Sequence, residues 1–193
     1  MLQRSILLIS GAPASGKSTV ARALAATFGF PLLSKDTFKE SLYESLGGLL
    51  AERTSSPEDL SRLLSRAAMD VLWSAAPDCP QVILEANFRT QSEGERARFA
   101  ALAGRKLEVY CRCSPEEASR RFRERAERER HHPAHSVKSL SADAMREYDR
   151  PFGLCPVIEV DTELPVDTAE IVRQIGGYWP DLPGRQPSTS VMP

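Results

Sequence analysis

No stretch of this sequence approaches the ~18 consecutive apolar residues of a membrane span. The most apolar early run, Ile6-Leu7-Leu8-Ile9, passes at once into a glycine-rich segment. It is too short for a signal peptide and reads as a buried strand, so the expected location is cytoplasmic. Cysteine is scarce: Cys79, Cys111, Cys113 and Cys155 contain no Cys-x-x-Cys pair. Reduced, mostly buried thiols are expected, in preference to zinc or a disulfide. The three histidines fall at 131, 132 and 135, with no Cys or acid nearby to complete a tetrahedral zinc set. Charge of one sign is also missing, since 25 basic against 26 acidic residues leave a net of -1. That balance excludes a broad electrostatic grip on nucleic acid, although a local basic patch is compatible with it. Internal repeats and a second compositional block are absent as well. The 193 residues suffice for one domain with a substantial core.

What is present is a repeating strand–loop–helix pattern, the requirement for a parallel sheet covered by helices. Apolar strands are predicted at 5–10, 31–34, 81–86, 106–113 and 157–161. Between them, Val20, Leu24 and Phe28 form one helical stripe, and a helix from about Asp36 is predicted to stop at Gly47-Gly48. Ser56-Pro57 opens a helix whose Leu60, Leu64, Ala68 and Leu72 share a face. Ser92-x-x-Glu95 and Asp167-x-x-Glu170 read as capping boxes, and Ser114-Pro115 opens an arginine-rich helix. A domain over 1–176 is expected, followed by a Gly-, Pro- and Ser-rich tail, 177–193, expected to be disordered.

The strongest motif is Gly-Ala-Pro-Ala-Ser-Gly-Lys-Ser at 11–18. Gly-x-x-x-x-Gly-Lys-Ser arises by chance, but here a strand precedes it and a helix follows it. Such a loop curls around phosphates, and the helix offers unpaired N–H groups and its positive dipole end. Gly11, Ala14, Ser15, Gly16, Lys17, Ser18 and Thr19 are the candidate nucleotide contacts, for ATP or GTP. Lys17 is placed on the β- and γ-phosphates and the Ser18 hydroxyl on Mg²⁺.

Phosphoryl transfer also needs a proton acceptor and positive charge on the moving group. Asp36, just beyond the second strand, stands where open α/β sheets bind ligands. It is the candidate base, with a helix N-cap as its structural alternative, and Lys39 one turn on could bind the acceptor. Glu85, ending the third strand, occupies the position of an acid that holds Mg²⁺ through water. Asn87, Phe88 and Arg89 follow on the same rim as substrate contacts. The segment 120–130 carries six Arg and no Lys, interleaved with Glu. Ion-paired surface is one reading. A lid over about 120–137 that brings Arg121, Arg125 and Arg128 onto phosphate is the other.

These residues together resemble the small P-loop kinases of the AAA_33-type family, a group similar to chloramphenicol phosphotransferase, zeta-toxin-like kinases and polynucleotide-kinase-type P-loop kinases. The resemblance covers about 4–175 and is carried by Gly11–Thr19, Ser34-Lys35-Asp36, Glu85-Ala86-Asn87-Phe88-Arg89 and the arginine-rich segment ending in His-Pro-Ala-His. It implies a P-loop NTPase fold, a five-stranded parallel sheet of order 2-3-1-4-5 with an Arg-rich lid, and an adenine-side loop near Asp161 and Thr162. It further implies an ATP- and Mg²⁺-dependent kinase acting on a hydroxyl of a small-molecule acceptor, with Lys17 as the Walker A lysine, Asp36 as base and lid arginines among Arg121, Arg125 and Arg128. The acidic helices around Pro57 argue against a polynucleotide acceptor. A nucleotide-binding switch or slow ATPase acting on a protein partner, and a sugar-nucleotide kinase of the zeta-toxin kind, are the alternatives.

Overall fold

A computed structural model describes residues 3–128, 132–137 and 139–182. Its order is β1 (Ser5–Gly11), α1 (Lys17–Phe28), β2 (Leu32–Ser34), α2 (Lys35–Ala51), α3 (Pro57–Ala75), β3 (Gln81–Glu85), α4 (Glu93–Ala101), β4 (Arg105–Arg112), α5 (Pro115–Arg128), α6 (Ala142–Met145), β5 (Val157–Asp161) and α7 (Thr168–Tyr178). All five strands are parallel, in the order β2-β3-β1-β4-β5. That is the order expected from the resemblance.

The central strand β1 is buried along its whole length, as a strand covered on both faces must be. On one face Leu7 and Ile9 pack with Val20 and Leu24 of α1 and with Ile171 and Ile175 of α7. On the other, Ile6 and Leu8 pack with Leu72 and Trp73 of α3 and Phe99 of α4. The pairing aligns Ile9 with Glu85, Ser34 with Glu85 and Gly11 with Cys111. The carboxyl ends of β2, β3, β1 and β4 therefore finish on a common edge, which is where an open α/β sheet receives ligands.

Ser56, Ser92 and Asp167 cap α3, α4 and α7 as expected, each accepting a backbone N–H three residues on. Two helix ends differ from expectation. Gly47-Gly48 does not stop α2, which continues to Ala51. Gly47 is buried, and a Cβ there would stand 3.2 Å from the Tyr43 ring, so the absent side chain makes room for that ring. Likewise Gly176-Gly177 lie within α7, and the segment just beyond it is not a loose tail. Trp179 and Leu182 are buried in the core of the α1/α7 face. The Arg105 guanidinium lies 5.0 Å from the Trp179 ring and also pairs with Asp181. The packed core thus continues past the expected boundary at 176 as far as Leu182, and 183–193 lie outside the described residues.

One buried carboxylate had no sequence signal. Glu108 on β4 is fully buried and accepts hydrogen bonds from Ser10 Oγ, Phe152 N (2.7 Å) and Gly153 N (2.8 Å). It ties the chain after α6 to the strand that delivers the glycine-rich loop. All four cysteines are free thiols, and burial pushes the Cys111 thiol up to about 12.

Candidate active site

The loop from 11 to 16 is held in a backbone shape that only certain residues allow. Gly11 has φ 138°, and a Cβ on it would meet the Cys111 carbonyl oxygen at 2.5 Å. Gly16 has φ 85° and forms the entry to α1. Ala14 also takes a positive φ, 63°, which costs a residue with a Cβ about 1 kcal/mol. Strain of this kind persists where a function uses the resulting shape. The Ser15 hydroxyl is buried here without a hydrogen-bond partner among the described residues.

Lys17, 6% exposed, donates to the Ala12 carbonyl at 3.2 Å and lies 4.0 Å from Glu85 Oε1. Glu85 in turn accepts Ser18 Oγ at 3.0 Å and Ser34 Oγ at 2.6 Å. The ends of β2 and β3 and the start of α1 thereby converge on one carboxylate. This all-oxygen set of Ser18, Glu85 and Ser34 beside the loop fits a hard divalent cation such as Mg²⁺. Ser34 was not among the expected ligands. Its signal in the sequence was its place in the Ser34-Lys35-Asp36 segment at the end of the second strand.

Asp36 lies in the first turn of α2, so it is inside the helix; Ser34 is the N-cap residue. Its half-buried carboxylate makes no hydrogen bond among the described residues. Burial alone would raise its pKa, but Lys35, Lys17, His135 and Lys39 together hold it below the ordinary carboxylate value. Lys35 donates to Asn87 Oδ1 at 3.1 Å, and Asn87 Nδ2 donates to the Tyr148 hydroxyl at 3.4 Å. Burial, and to a smaller extent the charge of Lys17, lower the Lys35 pKa against the opposing pull of Asp36.

Ala14, Gly16, Lys17, Ser18 and Thr19 share one cleft of about 1650 Å³ with Asp36, Lys39, Asn87 and Arg89. Ser61, Met69 and Trp73 of α3 line it too. Arg89 is held by Glu95, which accepts from its backbone N at 3.0 Å and its Nε at 2.8 Å. Glu95 is buried for that purpose and does not close the capping box expected of it.

Phe88 is the clear misplacement. It is 2% exposed and packs against Trp73 and Phe152 with ring centroids 5.6 and 5.7 Å away. Between Asn87 and Arg89 on an extended segment, its side chain points the opposite way, into the core. Asp161 and Thr162 lie beside the glycine-rich loop and are absent from the cleft wall. A Cβ on Gly16 would stand 3.7 Å from Thr162 Cβ, and Asp161 pairs with Arg112 at 2.5 Å.

The arginines of α5 divide between two faces. Arg120 is bound to Glu117 and Glu124 on the exposed side. Arg121 lines the cleft, donating to Glu117 at 2.7 Å and to the Thr162 carbonyl at 3.0 Å. Arg125 lines the cleft as well. The Arg128 side chain lies outside the described residues. The loop 132–137 is seated on α2 and α3: His135 Nε2 is 3.0 Å from Glu40, His132 Nε2 is 3.5 Å from Glu44, and Ser61 Oγ donates to the Ala134 carbonyl at 2.9 Å. Burial lowers the His135 pKa, against the pull of Asp36 and Glu40. Among the described residues no group of three His, Cys, Asp or Glu is placed to hold a metal ion, and no helix is long and apolar enough to cross a membrane.

Comparison with protein families gives a match to the AAA_33 model, an AAA domain, over residues 6–151. The chain belongs to the AAA_33 family. A search of curated proteins finds no match for this AAA_33 chain. Among solved structures it is similar to a protein of Chloroflexus aurantiacus J-10-fl with a provisional kinase assignment, at 28% identity and a TM-score of 0.73 over 91% of this chain and 98% of that one. The fold is shared with the shikimate kinase of Bacteroides thetaiotaomicron (15% identity, TM-score 0.55, 91% and 98% covered). It is shared too with a gluconokinase of Sinorhizobium meliloti 1021 (18% identity, TM-score 0.52, 90% of each chain covered).

Proposed function

We propose that this AAA_33 protein is an ATP-dependent kinase that moves the γ-phosphoryl group to a hydroxyl of a small-molecule acceptor. The observation that carries the reading is one cleft holding both a phosphate loop and the ionised carboxylate of Asp36, which makes no hydrogen bond among the described residues. A nucleotide-binding switch has no use for an acid aimed into the space beside the transferring phosphate. Its fold-mates include kinases of small hydroxyl-bearing molecules, and the Chloroflexus aurantiacus relative is itself assigned to kinases.

In this reading the backbone amides of Ala14–Thr19 and the Lys17 ammonium hold the β- and γ-phosphates. Ser18 and Glu85 would hold Mg²⁺, which when bound supplies charge neutralisation on the phosphate oxygens. The acceptor oxygen forms a bond to the γ-phosphorus as the bond to the β–γ bridging oxygen breaks, and ADP leaves with that electron pair. The acceptor proton passes to Asp36. A carboxylate of lowered pKa is a weak base, so its main part is to orient the hydroxyl and to take the proton late. That suits a transition state in which the nucleophile carries little charge. Arg121 and Arg125 add positive charge along the cleft wall, and the segment 120–137 would act as a lid.

The test is ADP release with ATP and Mg²⁺ across aminoglycosides, phenicols, sugars, nucleosides and 5′-hydroxyl oligonucleotides, with Asp36→Asn beside wild type. Acceptor-stimulated release that disappears in Asp36→Asn is the expected result. Slow turnover that ignores every acceptor and survives Asp36→Asn would favour the switch or slow ATPase.

A further inference from the structure

Lys39 is held in an unusual way for an ammonium group. It is 5% exposed, yet it lines the cleft. Its Nζ donates to Ser61 Oγ at 2.8 Å, and among the described residues no carboxylate comes within the 4.0 Å of an ion pair. The neighbouring acids are otherwise arranged, since Glu40 is turned to His135 and Asp36 lies one turn back on α2. An ammonium has three donors, and here one neutral hydroxyl uses one of them. Burial, and then Lys35, bring the Lys39 pKa down to about 8, so the charge is retained at neutral pH in a place that disfavours it. An aliphatic side chain would fill the same space more stably. A buried cation without a counter-ion, on the wall of a cleft, is a site prepared for an anion.

Asp36 and Lys39 are three residues apart on α2, which puts their Cβ atoms about 5–6 Å from each other on adjoining faces. Resting on the kinase reading above, we propose that Lys39 receives a carboxylate of the acceptor. The acceptor is then a small hydroxy acid whose carboxylate lies within roughly the width of one sugar ring from the phosphorylated hydroxyl. A carboxylate fits better than a phosphate ester. The one ammonium balances one negative charge beside the Asp36 carboxylate, and three of the guanidinium groups along the cleft that could grip a dianion bidentately are already engaged. Arg89 is bound to Glu95, Arg98 to Asp70 and Arg62 to Asp59.

The experiment pairs acids with their neutral alcohols: glycerate with glycerol, threonate with threitol and gluconate with glucitol. Glycerol 3-phosphate forms a further arm. Binding is measured by calorimetry with Mg²⁺ and a non-hydrolysable ATP analogue present, and turnover by ADP release, in wild type, Lys39→Met and Lys39→Gln. Gln retains a donor for Ser61, so one variant keeps that contact if the other folds poorly, and analogue affinity checks that each cleft is intact. At least one acid is expected to exceed its alcohol by about 10–100-fold, the worth of one charged hydrogen bond, and to lose that margin in both variants. No Lys39-dependent margin for any acid overturns the inference, as does a Lys39-dependent preference for glycerol 3-phosphate. Neutral alcohols phosphorylated without such a margin would leave the kinase reading standing. ADP release that no acceptor stimulates and that Asp36→Asn leaves intact would instead count against the kinase reading itself.

Discussion

The Ser18 hydroxyl donates to Glu85 Oε1 at 3.0 Å, joining the first turn of α1 to the end of β3 across the central strand. The same carboxylate takes Ser34, so one acid holds both the phosphate loop and the start of the acceptor helix. Glu85→Gln keeps the size of the group but removes its charge. It is expected to raise the Mg²⁺ concentration needed for half-maximal turnover and to lower kcat by about 10²-fold or more. Its thermal midpoint without nucleotide should stay within a few degrees of wild type. A Mg²⁺ titration of ADP release checks this, and an unchanged Mg²⁺ dependence would remove Glu85 from the cation site.

Lys17 is buried, and its Nζ bonds to the Ala12 carbonyl of its own loop. Lys17→Ala removes a charge from the cleft and leaves the sheet untouched. Nucleotide affinity should fall by about 10²-fold or more, since Lys17 would supply a charged contact to two phosphates. Unchanged ATP binding in a folded variant would break the assignment of the loop.

Asp36→Asn should lower kcat by roughly 10²–10⁴-fold with a smaller effect on nucleotide KM, as for the loss of a positioned proton acceptor. The sign of the pH dependence follows from the cations around it. Lys35, Lys17, His135 and Lys39 hold the Asp36 pKa below its ordinary value, so it stays ionised as pH falls through the usual carboxylate range. The acid limb of the kcat profile that belongs to Asp36 therefore lies below that range. A limb near neutrality that vanishes in Asp36→Asn would contradict this placement.

Glu108 is a stability element. Removing its carboxylate strands the buried Phe152 N–H and the buried Ser10 hydroxyl and takes away the partner of the more exposed Gly153 N–H. Glu108→Ala is expected to destabilise the fold by about 2–4 kcal/mol in chemical denaturation, with Glu108→Gln milder because it retains one acceptor oxygen. A loss under 1 kcal/mol for the alanine variant would mean that the 150–153 chain is held by other contacts.

The strands and the phosphate loop were legible because both rest on local pattern: apolar runs of strand length, and a spacing of glycine, lysine and serine with a fixed mechanical purpose; the strand order came only from the family resemblance. Gly47-Gly48 and Gly176-Gly177 misled for one reason. Glycine pairs usually end helices, but tertiary packing against Tyr43 and the burial of Trp179 and Leu182 override that propensity by more than the ~1 kcal/mol a helical glycine costs. Phe88 shows the limit of naming a whole segment as a site, because an extended chain sends alternate residues to opposite sides. Ser61 and Glu108 left no trace in the sequence. Each acts through a partner 22 or more positions away, Lys39 for one and Phe152 for the other, and only the fold brings such pairs together.

The last prediction sets binding against stability at Lys39. Its folded pKa, about 8, lies below the ordinary 10.5, so between those values the unfolded chain binds more protons than the folded one. Stability contributed by this group therefore rises as pH increases from about 8 to 10.5 and is least at neutral pH, where the buried charge costs at most about 3 kcal/mol. Lys35, Asp36, Glu40 and His135 surround it, and their own charges modify the size of the effect without reversing it. Lys39→Met should accordingly raise the denaturation midpoint at pH 7 while its advantage over wild type shrinks at pH 10. Ser61 still donates to the Ala134 carbonyl, so the α3 contact with the 132–137 loop survives the change. A lysine kept only to support the fold would give the opposite result, with Lys39→Met less stable than wild type at pH 7. Denaturant curves of the two proteins at both pH values distinguish a charge held for a ligand from a charge held for structure.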